Sequence, residues 1–161
     1  MSEPALYVEP VLGWRVWHVE VGADGPELLS WSRPDRWPAR RRMEALCRRL
    51  WVWSVKPHPA PAARHRCGLY AMRRREDLAQ VLRPLFAHGA PGEAGRRPIA
   101  IGRVSLWGRM IANVRGWRAQ YGYPYELELV GADDDLCRHL ATRYAVDVRL
   151  ASGAEGLPGI T

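Results

Sequence analysis

Two cysteines and two histidines, Cys47, His58, His65 and Cys67, fall within 21 residues in the spacing C-x10-H-x6-H-x-C. Thiolate sulfur and imidazole nitrogen are the donors that a tetrahedral zinc ion takes, and two of each fill its shell. Zinc is therefore the expected cofactor. With all four donors engaged the site is structural, because a catalytic zinc keeps one position open for water. If only three bind, water in the fourth position makes a metal-dependent hydrolase or transferase conceivable. His65 and Cys67 are two positions apart and project to the same side of an extended chain. Pro57, Pro59 and Pro61 stiffen the approach of His58. The plainer alternative is that the cysteines are small buried hydrophobes and the histidines are solvated.

A second group of residues has the composition of a binding surface. On a strand over 103–115, Arg103, Trp107, Arg109 and Arg115 share the face opposite the apolar one, and Arg118 follows on the next strand. Guanidinium forks match phosphate geometry and an exposed indole offers a stacking plane. Arg103, Trp107, Arg109 and Arg118 are accordingly the candidate contacts to a nucleic acid or nucleotide-like ligand. The formal charge is +7, and it is unevenly spread. Residues 33–75 hold thirteen Lys and Arg against two acids, Asp35 and Glu44, while the rest of the chain is net acidic. Such asymmetry points to an acidic partner. A protein–protein adaptor that docks an acidic face through 33–75 is the alternative to nucleic acid. Lys56 is the only lysine, so part of the arginine excess reflects codon usage rather than binding.

Enzyme signatures do not appear. The chain lacks G-x-S-x-G, H-E-x-x-H, a P-loop and a dinucleotide fingerprint. The zinc-deaminase pattern, with its Glu two residues after the His and a later P-C-x-x-C, is missing too. His18, His88 and His139 stand alone, and Asp133–Asp135 read as acids at a helix start rather than as metal ligands. The function expected is thus a non-catalytic binding module. Three cysteines without a framework spacing, and no basic-then-apolar leader after Met1, lead to the expectation of a reduced, cytoplasmic protein that does not enter a membrane.

The run His58-Pro59-Ala60-Pro61, followed by His65-Arg66-Cys67-Gly68-Leu69-Tyr70-Ala71, resembles a pattern in a family of small uncharacterised proteins of GC-rich bacteria. In that pattern an upstream Cys precedes H-x-A-P and then C-x-C-G-I-Y-A. Residues 102–108 and 116–124 resemble the family's second block, L-W-G…G-[WY]-R-A. The two blocks cover about a quarter of the chain. This sequence has His65 where the family pattern has Cys, an exchange that zinc tolerates and thiol chemistry does not. The resemblance implies relatives with a similar loop and implies no activity.

At 161 residues the chain is long enough for one core without disulfides. The expected architecture is α+β: a single domain over 1–150, a curved antiparallel sheet built on a long hairpin at about 103–129, two or three helices, and a flexible tail over 151–161. Residues 14–21 and 27–31 read as strands around the turn Ala23-Asp24-Gly25-Pro26. Residues 39–50 read as a basic helix, with a ragged strand as the alternative, 51–55 as a strand, and 56–66 as irregular because of its prolines. A short strand over 68–72 and a helix over 76–82, ended or kinked by Pro84, follow. Residues 88–98 are Gly-, Ala- and Pro-rich and read as a mobile loop. From Val104 the even positions are apolar, and from Trp117 the odd ones, which is the period of two half-buried strands. On that parity Val114, Trp117, Tyr121, Tyr123 and Tyr125 belong to the core. A helix over 133–144 and a last strand over 146–150 complete the pattern.

Overall fold

The computed structural model describes residues 3–33, 35–47, 58–153 and 157–159. The strand expected over 51–55 lies outside them. Alternating apolar residues drive two long strands together: β5 (Ile99–Ala112) and β6 (Gly116–Val130) pair antiparallel along their whole length. Between them Asn113 closes the turn, its Oδ1 accepting from the backbone N–H groups of Arg115 and Gly116. Val114 therefore sits at an exposed hairpin tip and not on the apolar face.

Two bulges explain where the parity expected for this hairpin changes. On β5, Gly108 and Arg109 together oppose one residue of β6, and Gly108 has φ +80, a conformation glycine adopts without penalty. On β6, Tyr125 is passed over between the pairs Arg103–Glu126 and Val104–Pro124. Each extra residue turns the strand by one position. Tyr125 is thereby expelled to the surface, at 49% exposure, while Trp117, Tyr121 and Tyr123 are half-buried. The buried positions of β6 are instead Gly116, Ala119, Gly122 and Pro124, then 127–130.

The other outer edge of β5 takes β1 (Ala5–Gly22), which turns through Ala23-Asp24 into β2 (Gly25–Ser30). β1 begins well before Trp14. Its first half pairs only with β5 and carries Leu6 and Val8 outward, with a register shift between Tyr7 and Val11 around Pro10, which has no N–H to donate. β3 (Met43–Glu44) and β4 (Leu69–Met72) both pair with β6, and β4 also meets β1 at Trp14–Met72. The pairings β1–β5–β6–β4–β1 thus form a closed ring, with β2 and β3 attached to its edges. β7 (Asp147–Leu150) adds to β6 in parallel, which makes the seven-stranded sheet mixed rather than purely antiparallel.

The helix expected over 39–50 is not formed in its described part. Residues 39–47 run as turn and extended chain, with only Met43 and Glu44 in a ladder and Leu46 bridged to Pro59. Sheet pairing to β6 satisfies this backbone better than an isolated basic helix would. Among the described residues the helix set is therefore smaller than the upper expectation: a 3-10 turn (Arg75–Leu78), α1 (Ala79–Phe86) and α2 (Asp134–Tyr144). α1 runs through Pro84 because burial of Leu82 and Leu85 outweighs the missing donor in so short a helix. α2 starts at Asp133, whose carboxylate accepts from the Leu136 N–H at 2.8 Å.

Both faces of the sheet are covered, so neighbouring residues enter different clusters. Trp17, Leu106, Leu127 and Leu129 pack with Leu140 and Tyr144 of α2. Val16, Ile99, Ile101 and Val130 pack with α1 on the other face. Leu157 is buried in this second cluster, and Arg83 Nε donates to the Gly159 carbonyl. This double cover is why 99–102 are buried without alternation. Also on the second face, Glu128 is clamped by Arg75 and Arg149.

Irregular segments are tied on by side chains. The Tyr144 hydroxyl accepts from the Leu28 N–H at 2.9 Å and donates to the Trp37 carbonyl at 2.8 Å. The Trp37 indole N–H reaches Ser30 Oγ. The Tyr123 hydroxyl accepts from the Arg40 N–H and donates to the Tyr144 carbonyl. Tyr144→Phe leaves two buried backbone groups unpaired, and a loss of about 1–3 kcal/mol in urea unfolding is expected.

Burial acts to raise the Glu128 carboxyl pKa, but hydrogen bonds and charge from Arg149 and Arg75 prevail and hold it below the ordinary carboxylate range. A folded-state pKa that is depressed contributes stability above the unfolded value, and that contribution is lost as pH falls through the folded value. The stability gap between the parent chain and Glu128→Gln should be full above about pH 5 and close as pH drops below about 4. Urea midpoints measured across that range check it.

Candidate metal centre

The four residues singled out by spacing converge in space. Their ligand atoms, two Sγ and two imidazole nitrogens, all lie within 4.8 Å of one another. Cys47 Sγ is 3.2 Å from His65 Nδ1, and the rings of His58 and His65 meet edge-to-face with centroids 4.9 Å apart. In a tetrahedral zinc site with bonds of about 2.0 Å to nitrogen and about 2.3 Å to sulfur, donor atoms stand roughly 3.3–3.8 Å apart. The cluster thus needs only a small contraction to close on an ion. Cys67 is buried and the other three are half-buried. Burial pushes the Cys67 thiol pKa up, and the adjoining Cys47 adds to the shift.

The donors are delivered by three pieces of irregular chain, with His65 and Cys67 on the same one. Cys47 follows Ala45, whose N–H donates to the Gln120 carbonyl, and Leu46, which bridges to Pro59. His58 precedes that bridge, and its Nδ1 lies 3.0 Å from the Pro59 carbonyl oxygen. His65 stands on a tight turn closed by its own N–H to the Ala62 carbonyl. Cys67 leads through Gly68 into β4. Gly68 has φ +120, and a Cβ there would press on Pro61 and Arg118 at 3.1 Å, so the passage from loop to strand requires glycine.

Arg118 holds this loop. One of its guanidinium nitrogens donates to the carbonyls of Ala62 at 3.3 Å, His65, and Cys67 at 3.1 Å. These are the carbonyls of the turn that presents two of the four donors. The side chain expected to face a partner is turned inward onto the Cys/His loop instead.

The other three candidate contacts separate. Arg103 is ion-paired to Glu126 at 2.6 Å and lies over the Tyr125 ring. Trp107 is half-buried and tilted against Tyr121, with centroids 6.2 Å apart. Arg109 is exposed at the Gly108 bulge, its backbone N–H donating to Gln120 Oε1. Arg42, which parity alone did not indicate, meets Trp107's neighbour Tyr121, its guanidinium 4.1 Å from the Tyr121 ring centroid. The β3–β6 pairing brings it there, and so joins part of the basic segment to the aromatic face of the hairpin.

No family model, curated protein or solved structure matches the chain. The likeness to small bacterial proteins thus rests on the two sequence blocks alone. Among the described residues, no helix is long and apolar enough to cross a membrane.

Arg118→Ala removes the grip on three carbonyls while leaving all four donors in place. A loss of metal affinity of about tenfold or more is expected, with far-UV dichroism of the loaded protein unchanged. Competition against a chromophoric chelator measures it.

Proposed function

We propose that this chain is a non-catalytic binding module built around a structural zinc ion held by Cys47, His58, His65 and Cys67. The observation that carries this reading is the convergence of two thiol and two imidazole donors within 4.8 Å, from three loop pieces that have no shared ladder. Four converging protein donors favour a closed shell over an open catalytic one. The ion's part is to fix an irregular, basic loop against β6, where short strands and prolines supply few backbone hydrogen bonds of their own.

The partner proposed is nucleic acid, met by the row of Arg42, Tyr121, Trp107 and Arg109. Aromatic planes between guanidinium groups suit stacking bases and phosphates. Arg103 and Arg118 have internal partners and act through them, Arg103 by fixing Tyr125 and Arg118 by fixing the loop. The concentration of arginine between 33 and 75 supports an acidic partner on this side of the molecule.

Elemental analysis of the purified chain should find about one equivalent of zinc, and Cys47→Ser with Cys67→Ser should remove it. Cobalt substitution should give the visible bands of a tetrahedral thiolate site. Less than about a tenth of an equivalent of any transition metal would sink the zinc reading. Mobility shift with single-stranded probes should be visible at low salt and weaken steeply as salt rises. Trp107→Ala with Arg109→Ala should weaken it by about tenfold, and no shift at low salt would remove the nucleic-acid partner.

A further inference from the structure

One edge of β1 changes partner midway. Trp14 pairs with Met72 of β4, and from Trp17 onward the edge pairs with β2, starting at Ser30. Over Arg15 and Val16 that edge has no strand beside it among the described residues, and the sheet is notched there. The notch opens into a cleft of about 930 Å³ bounded by β2, β4, the start of α1 and the metal loop. That volume is in the range that holds a small organic ligand.

The polar side chain within the notch is Arg15. Its guanidinium donates to the Tyr70 carbonyl on β4 and to Ser30 Oγ on β2, and it lies 5.0 Å from the Trp37 ring centroid. All of these are neutral partners, which accept hydrogen bonds without neutralising charge. No carboxylate among the described residues lies within ion-pair distance of Arg15, and its Nε is buried with no acceptor. Burial pulls its pKa down to about 10, against a weaker upward pull from Asp35. A cation in this position is costly unless an anion joins it.

The rest of the cleft fits the same demand. Arg33 and Arg66 are exposed on its border and have no ion-pair partner among the described residues. Trp14 and Trp31 give it two half-buried indoles, and Tyr70 a partly exposed phenol ring. The two acids lining it, Asp35 and Glu44, are outnumbered by the cations.

We propose that the notch between β2 and β4 is a binding site for a small aromatic anion, a flat ring bearing a phosphate or a carboxylate, with Arg15 as its charge anchor, Arg33 and Arg66 at its rim, and Trp14 and Trp31 as its stacking walls. The site is separate from the Arg42–Trp107 row and borders the Cys/His loop, with Leu46, Cys67 and Gly68 in its lining. Bidentate guanidinium recognition serves phosphate and carboxylate alike, so the chemistry is common and the source is what an experiment separates.

The test is titration calorimetry on the full chain, with its metal content measured first. 5′-AMP and indole-3-acetate are the two anions, and adenosine and indole-3-acetamide are their uncharged counterparts. At least one anion should bind saturably with Kd below about 1 mM, and at least about tenfold more tightly than its counterpart. Whichever anion binds identifies the phosphate or the carboxylate class. Arg15→Gln tests the anchor, but Arg15 also ties β2 to β4. Arg33→Gln with Arg66→Gln, both exposed, keeps the test independent of folding and should weaken binding by about tenfold. No saturation by either anion at about 10 mM, equal binding of the neutral compounds, or unchanged affinity in the double variant would overturn the proposal. Anion binding by a chain that carries no metal would sink the zinc reading and leave this one standing. A zinc-loaded chain that binds neither anion would do the reverse.

Discussion

Leu69–Met72 is a strand of four residues, yet the ring of strands closes only through it. It pairs with β6 on one side, and on the other it touches β1 at a single position, Trp14–Met72. So few ladder bonds cannot hold a strand in register on their own, and the chain leading into it is irregular. The register of β4 is therefore set from outside the ladder. Arg118 grips the turn before it, Gly68 permits the passage, and Arg15 reaches across from β1 to the Tyr70 carbonyl. The metal loop, the notch and the closure of the ring all hang on this one short element, and arginines do most of the fastening.

Much of this was legible in the residue pattern, and the reasons for the remainder are specific. The hairpin at 103–129 could be read because its apolar residues recur every second position, and α2 because Asp133 caps a clear apolar stripe. The Cys/His cluster could be read because donor chemistry is visible in residue type alone, whatever fold delivers it. What period-two reading misses is a bulge, which adds one residue and reverses every side chain after it. Tyr125 was placed in the core for that reason. Segment 39–47 misled for another: Met43, Leu46 and Cys47 do fall on one helical face, but Met43 pairs with Gly122 of β6, Leu46 bridges to Pro59 and Cys47 lies against His65, and no local pattern announces a two-residue strand. Arg118 counted as a surface cation because parity gives the side of a strand and not what waits there. Arg15 did leave a trace, a lone charge inside the apolar run from Trp14 to Val19.

The arrangement also recasts the charge on the segment 33–75. Several of its arginines are occupied within the fold: Arg36 with Glu20 and Glu27, Arg40 with the Thr142 carbonyl, and Arg73 over Trp117. Their work is to bind loop to barrel, which suits a guanidinium better than an ammonium because a fork can hold several carbonyls or lie flat on a ring. The described cations of the segment stay largely exposed, but those with internal partners are fixed in place rather than forming a uniform mobile coat.

The grip of Arg118 is on backbone oxygens alone, at Ala62, His65 and Cys67. A frame held by its carbonyls takes no account of the side chains it displays. The display can consequently be rewritten without rebuilding the scaffold: a cysteine in place of His65 leaves the gripped carbonyl where it is and the turn keeps its shape. Drift in the donor set is thereby uncoupled from drift in the fold.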